Sequence, residues 1–207
     1  MSGPKAVIYI VEDDVSFRRS VERLIKASGF EAVPFDSAGA FLAEARIRHP
    51  ACLLLDVQLP GMDGLELQQK LIEKSSSLPI IFMTGHGDIP MSVQAMKKGA
   101  VDFLPKPFEA KDLRGAILKA LDRDTANSKR DKQAKKIRSL MDALTPREME
   151  VLRWVITGKL NKQIADALGT SEKTIKVHRG RVMHKTRVTS VAELVRLTEK
   201  VDIQPAI

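Results

Sequence analysis

The chain has 207 residues, of which 43% are hydrophobic and 29% charged, which excludes a disordered protein and allows one large or two small domains. No apolar run approaches the ~20 residues of a membrane-spanning helix, and residues 1–5 lack the apolar core of a signal peptide, so we expect a cytoplasmic protein without membrane contact. A single cysteine, Cys52, excludes an internal disulfide framework.

The formal net charge of +8 is distributed unevenly along the chain. Residues 1–124 carry 16 Lys and Arg against 17 Asp and Glu, whereas residues 125–207 carry 18 against 9. A near-neutral first half is typical of a module that binds proteins or small molecules. The basic second half favours contact with a polyanion, foremost nucleic acid.

Short apolar runs alternate with amphipathic segments through the first half. Strands are predicted at residues 6–11, 31–35, 51–55, 78–83 and 100–104. Helices are predicted at residues 15–27, from a Ser37 cap to about residue 47, at 65–73 and 89–98, and from residue 109 onward. This alternation predicts a five-stranded parallel sheet with helices on both faces, the doubly wound α/β class.

Polar side chains stand where four of these strands end. Glu12 and Asp13 follow the first strand, Asp56 ends the third, Thr84 ends the fourth, and Lys106 follows the fifth. Ligands of open α/β sheets bind at this carboxyl edge, so we expect these residues to meet in one cleft. Crowded carboxylates with no His or Cys indicate Mg²⁺ or a similar hard cation.

The strand-end residues, together with LLLDVQLPGMDG around Asp56 and DFLPKPF around Lys106, resemble the receiver domain of two-component response regulators. The resemblance covers residues 1–122 and implies a flavodoxin-like fold. It implies that Asp56 accepts a phosphoryl group from a sensor histidine kinase. The residues implied to hold Mg²⁺ are Glu12, Asp13, Asp56 and, through its backbone carbonyl, Gln58.

The same resemblance implies a phosphate site and a switch. Thr84 and Lys106 would bind the phosphoryl oxygens, and a cis peptide between Lys106 and Pro107 would direct the ammonium toward them. Thr84 and Phe103 would then switch the surface formed by residues 89–104. The segment TGHGDIPMSVQAMKKGAVDFLPKPF, residues 84–108, is especially similar to the FixJ branch of the family. A homodimer would form there on phosphorylation, through the side chains of Met91, Met96, Lys97 and Lys98.

Residues 122–136 are rich in charge and contain neither Gly nor Pro. This composition predicts a linker, assigned to residues 123–141, that is either a continuous exposed helix or a flexible tether.

Residues 142–207 predict four helices. Thr145, Pro146 and Glu148 begin one that runs to about residue 157, and others are predicted at 161–168, 172–185 and 190–200. A short helix, a glycine-containing turn and a basic helix over residues 161–180 are typical of a helix-turn-helix. This module resembles the LuxR/NarL type of DNA-binding domain, in which the fourth helix supports dimer contacts.

Helical spacing assigns the predicted DNA contacts. Lys176 and Val177 are the candidates for base edges in the major groove, and Lys173 shares their face. The candidates for phosphate contacts are Lys162, Thr170, Ser171, Thr174, Arg179 and Arg181.

These observations predict a transcriptional response regulator rather than an enzyme, with promoter DNA and RNA polymerase as further partners. One alternative is a phosphatase of the haloacid dehalogenase class, which also uses a strand-end Asp with Mg²⁺, Thr and Lys. That class needs a second Asp where this chain has Gln58. Another alternative is a DNA-binding regulator controlled by receiver dimerisation without phosphorylation.

Overall fold

Five parallel strands pair in the order β2-β1-β3-β4-β5 at the centre of the first of two units in this computed structural model. The structure describes residues 5–85 and 89–206, and the units are Met1–Lys129 and Arg130–Ile207. The chain winds outward from β1 in both directions, which opens a cleft at the carboxyl ends of β1 and β3. The doubly wound prediction is confirmed. The strands are β1 Val7–Val11, β2 Glu31–Phe35, β3 Ala51–Asp56, β4 Ile80–Thr84 and β5 Asp102–Pro105.

The sheet separates two apolar cores, and helices cover both of its faces. Every residue of β1, β3 and β4 is buried, which is why these strands are continuous apolar runs rather than alternating ones. Tyr9 and Leu53 point into one core, and Ile10, Cys52 and Leu54 point into the other. Burial raises the pKa of the Cys52 thiol above its usual range. The helices are α1 Val15–Ala27, α2 Ala38–Glu44, α3 Gly64–Glu73, α4 Ile89–Lys97 and α5 Ala110–Asp142.

Helix α2 is shorter than predicted, ending at Glu44 rather than near residue 47. The hydroxyl of Tyr9 donates to the carbonyl of Arg46 at 2.6 Å and accepts from the backbone N–H of Arg48 at 3.0 Å. Ala45 is extended, so the chain leaves the helix to make these bonds. A buried tyrosine hydroxyl needs partners, and here it takes them from the backbone that would have continued α2.

Of the two alternatives for residues 122–136, a continuous helix and a flexible tether, the structure shows the helix. Helix α5 runs without a break from Ala110 to Asp142. Asp124, only 1% exposed, is its one buried charged residue among those described. Its carboxylate accepts from the N–H of Ala51 at 3.0 Å and lies 2.9 Å from Nδ1 of His49. One turn later Asn127 donates to the carbonyl of Ser77 at 3.3 Å. These bonds fix α5 at the amino ends of β3 and β4.

The second unit contains four further helices around a third apolar core. Ile137 and Met141, from the end of α5, belong to this core, so the predicted linker 123–141 is divided between the two units. Thr145 and Glu148 form the predicted capping box. The first helix ends two residues early because Gly158 turns the chain with φ of +81°. The helices are α6 Pro146–Val155, α7 Asn161–Ala167, α8 Glu172–Thr186 and α9 Val191–Glu199.

Within the described ranges, no helix combines the length and the apolar character that crossing a membrane requires.

Candidate functional site

Asp56 is the last residue of β3 and lies at the carboxyl edge of the sheet, where it is 5% exposed. The backbone N–H of Gln58 donates to its Oδ1 at 3.3 Å, and that of Gly64 donates to the carbonyl of Val57 at 3.0 Å. These bonds fold the turn back against β3. A Cβ on Gly64 would collide with the carbonyl oxygen of Asp56, so only glycine permits this close approach.

Lys106 extends from the end of β5 into the same cleft. Its Nζ lies 2.8 Å from Oδ2 of Asp56 and 2.6 Å from Oε2 of Glu12. The Lys106–Pro107 peptide is cis, which confirms that prediction. Burial lowers the pKa of Lys106, but the hydrogen bonds to Asp56 and Glu12 outweigh burial and raise this pKa above its usual value. The ammonium is therefore held in its charged form beside Asp56.

Three carboxylates converge at this edge. Oxygens of Glu12, Asp13 and Asp56 all lie within 4.8 Å of one another, with Glu12 and Asp56 buried and Asp13 exposed. Burial raises the pKa of Glu12 above its usual range, and the hydrogen bond from Lys106 opposes that effect. With all three ionised, one ammonium leaves two negative charges uncompensated. Such an all-oxygen cluster fits a hard divalent cation.

Thr84 and Phe103 lie on β4 and β5, the two strands that follow β3 across the sheet. Thr84 is the last residue of β4 and is 2% exposed, one residue beyond the pairing of Met83 with Asp56. The backbone N–H of Lys106 donates to its carbonyl at 2.6 Å. Phe103 is half-buried on β5, with its ring centroid 6.3 Å from that of Phe82. The threonine and aromatic of the predicted switch are therefore on neighbouring strands.

The predicted dimer surface is described in part. On α4, Met96 and Val93 are 43% and 46% exposed. Lys97 is exposed and Lys98 is half-buried. The side chain of Met91 lies outside the described part of the structure, as do residues 86–88.

Sequence reasoning missed two residues that support the acidic cluster. Phe17 lies under the ammonium of Lys106, with 4.4 Å between Nζ and the ring centroid, a cation–π contact. Arg18 donates to the backbone carbonyls of Glu12 and Asp13, which fixes the loop that carries both acids. Both residues lie in the first turns of α1, where their helical spacing resembles that of ordinary amphipathic residues. No sequence signal distinguishes them.

In the second unit, α7, a turn at Gly169 and α8 form the predicted helix-turn-helix. Ser171 caps α8 by accepting from the N–H of Thr174 at 3.1 Å. Arg179 is half-buried and donates to Oδ1 of Asn161 at 3.0 Å, so in this structure it joins α8 to the start of α7. The exposed predicted contacts are Lys162, Ser171, Lys173, Lys176, Val177 and Arg181, and Thr170 and Thr174 are half-buried.

A partly buried ion pair, also missed, joins α6 to α8. Nζ of Lys185 lies 2.6 Å from Oε2 of Glu148, whose side chain is 3% exposed. The hydrogen bond from Lys185, followed by that from the N–H of Thr145, lowers the pKa of Glu148 to about 2. Arg147 donates to the carbonyl of Leu168 at 3.1 Å and so holds the turn before α8.

Comparison with known proteins assigns a family to each unit. Residues 8–118 match the response regulator receiver domain, and residues 142–198 match the bacterial regulatory proteins of the luxR family. Nodulation protein W of Bradyrhizobium diazoefficiens is 46% identical over 98% of this chain and 89% of its own length. Response regulator protein TmoT of Ectopseudomonas mendocina is 44% identical over 97% of this chain and 91% of its own length. The solved structure of response regulator StyR is 45% identical, with a TM-score of 0.77 over 95% of this chain and 100% of that one.

Proposed function

The chain belongs to the two-component response regulators that join a receiver domain to a LuxR-type DNA-binding domain, and from this membership we propose that Asp56 is its phosphoryl acceptor. The observation that carries the proposal is the ammonium of Lys106 held 2.8 Å from the Asp56 carboxylate at the edge where a parallel sheet binds ligands. The protein is a two-component transcriptional regulator, and the donor is the phosphohistidine of a sensor histidine kinase.

The transfer needs positioning and charge compensation more than covalent help. An oxygen of Asp56 forms the new bond to phosphorus as the bond from phosphorus to the kinase imidazole nitrogen breaks, and the imidazole leaves with the electron pair. Lys106 offers its ammonium to a transferred oxygen, and the hydroxyl of Thr84 offers another donor. Glu12 and Asp56 hold Lys106 in place before transfer.

The acidic cluster fits Mg²⁺, with Asp13, Asp56 and the backbone carbonyl of Gln58 as ligands and Glu12 close by. The cation supplies neutralisation of the charge on the phosphoryl oxygens. The exposed position of Asp13 leaves its carboxylate accessible from solvent, and Arg18 orients its backbone.

The proposed output is a homodimer that controls transcription. Thr84 moves toward the phosphoryl group, Phe103 turns inward, and the surface of α4 and β5 pairs with that of a second copy. Two α8 helices then reach two half-sites of promoter DNA, where the dimer acts on RNA polymerase. We assign residues 1–122 to the receiver domain, 123–141 to a helical linker and 142–207 to the DNA-binding domain.

Two alternatives predict different chemistry. A haloacid dehalogenase phosphatase needs an acid two residues after its nucleophile, and the amide of Gln58 cannot exchange a proton there. A regulator without phosphorylation would not need the ammonium of Lys106 paired with the carboxylate of Asp56.

The test is phosphorylation with acetyl phosphate and Mg²⁺, followed by intact mass. We expect one acid-stable, base-labile adduct on the natural chain and none on Asp56→Asn. Asp13→Ala should slow the reaction strongly by weakening metal binding. Asp122→Asn, an exposed carboxylate on α5, is the matched control and should react normally. Equal labelling of Asp56→Asn and the natural chain would refute the site assignment.

A further inference from the structure

The last turns of α5 carry a charged surface that the proposed function does not use. Residues 130–138 contain five cationic side chains against one acid, Asp131. Lys132, Lys135 and Lys136 are all exposed, and the structure gives none of them an ion pair among the described residues. We refer to these three lysines as the linker lysines.

Packing determines which way the linker lysines face. Ile137 and Met141 are 3% and 5% exposed in the core of the second unit, so the face of α5 that carries them points inward. Successive residues of a helix are rotated by roughly 100°, which puts the linker lysines on the opposite half of α5. This face is therefore fixed outward by the same domain that carries α8.

The sequence of this face is unfavourable for an isolated helix. Lys132 stands three and four residues before Lys135 and Lys136, and like charges at these spacings repel. A row of cations that costs helix stability and forms no ion pair among the described residues is suited to an external polyanion. Duplex DNA carries one charge per roughly 1.7 Å of axis, and residues 130–138 span about 12 Å of helix, enough to meet several phosphates.

We propose that the linker lysines form a second DNA-contacting surface, which binds backbone phosphates outside the segment read by α8. The contact is independent of base sequence, because an ammonium on a flexible stem recognises a phosphate as a point charge. It rests on the proposed DNA-binding function and extends it to the end of α5.

The test uses the full-length protein and a mixed-sequence duplex of about 40 base pairs, long enough to extend past the α8 contacts. Binding is measured by fluorescence anisotropy at several KCl concentrations. Each phosphate contact contributes about 0.9 to the slope of log K against log salt, so Lys132→Gln/Lys135→Gln/Lys136→Gln, which removes three contacts, should reduce the slope by about 2.7. The control Lys70→Gln/Lys74→Gln/Lys111→Gln removes equal charge from exposed positions of the first unit.

The expected result is a loss of slope in the linker variant that clearly exceeds the loss in the control. Replacing the same three lysines with arginine keeps the charge and should retain the natural slope, which separates charge from helix damage; circular dichroism checks helix content. Equal slopes for the linker variant and the control overturn the inference and would point to an acidic protein surface instead. A natural chain that binds no duplex at all would refute the DNA-binding function itself.

Discussion

Gly64 sets the distance between the start of α3 and Asp56. Besides its collision with the Asp56 carbonyl, a Cβ there would lie 3.1 Å from the ring of Phe82. Gly64→Ala should therefore displace the turn, lower stability by about 1–3 kcal/mol and slow phosphorylation of Asp56. Thermal unfolding and the acetyl phosphate reaction measure both effects.

The control is Gly39→Ala within α2, where a Cβ meets nothing within 4 Å and should be neutral or slightly stabilising. If Gly64→Ala matched this control in both measurements, the close approach of α3 to Asp56 would not matter for the site.

Glu148 makes the second unit sensitive to acid. Its pKa of about 2 lies below the usual 4.5, so it contributes stability above pH 4.5 that is lost as pH falls toward 2. We expect Glu148→Gln to lower the stability of this unit at pH 7 by about 1–2 kcal/mol, a figure reduced for screening because Lys185 is 32% exposed. Chemical denaturation at several pH values should show that the difference in unfolding free energy between Glu148→Gln and the natural chain shrinks as the pH falls toward 2.

The exposed Glu199→Gln serves as the control for that measurement and should change little at any pH. A constant difference between Glu148→Gln and the natural chain down to the acid limit would contradict the ion-pair explanation.

The site residues divide into those that sequence could predict and those it could not. Asp56, Thr84 and Lys106 were predictable because each follows an apolar strand, and parallel strands bring such ends together. Phe17 under Lys106 and Asp124 beside Ala51 join residues 89 and 73 positions apart along the chain. Contacts of this kind leave no periodic pattern in the sequence, and only the assembled sheet places them together.

At the scale of elements, the periodicity of apolar residues predicted which segments are strands and which are helices. The ends of helices, in contrast, depended on hydrogen bonds to residues far away in the sequence. The end of α2 is the clearest example, because the Tyr9 hydroxyl comes from a strand more than 30 residues away. For α5, an apolar stripe through Leu113 and Ile117 gives way to a polar stretch before Ile137. The pattern alone therefore could not decide between a helix and a tether.

Tyr9→Phe tests the bond that ends α2. The ring keeps its contacts with Phe35 and Phe41, whereas Arg46 and Arg48 lose their hydroxyl partner. We expect a loss of about 1–2 kcal/mol in the first unit and faster hydrogen exchange in residues 45–50. Unchanged exchange in that segment would show that other contacts end the helix.

At the scale of the whole molecule, the uneven charge predicted a near-neutral first module and a basic, nucleic-acid-binding second module. The receiver match in the first unit and the luxR-family match in the second agree with this division. In the proposed dimer, pairing of two receivers would raise DNA affinity by effective concentration, without a new protein–DNA contact. We therefore expect phosphorylation to strengthen binding to a two-half-site operator by about 5–150-fold, the usual range of coupling, and binding to a single half-site much less. Both affinities should fall with salt.

Titrations with and without acetyl phosphate on both duplexes measure this difference. A fragment limited to residues 142–207 should bind weakly at any phosphate supply, and it also lacks the core side chains Ile137 and Met141. Equal enhancement on single and paired half-sites would mean that phosphate unmasks α8 instead of pairing two receivers.

Because Cys52 is buried in β3, the rate at which its thiol is alkylated reports how often the sheet opens. This thiol is fully enclosed four residues before Asp56, so an alkylating reagent reaches it only when the sheet opens. A ligand that binds the closed state makes opening rarer, and Mg²⁺ should therefore slow alkylation in the natural chain. In Asp13→Ala the same addition should leave the rate nearly unchanged. The chain's single thiol thus reports occupancy of the acidic cluster without any activity assay.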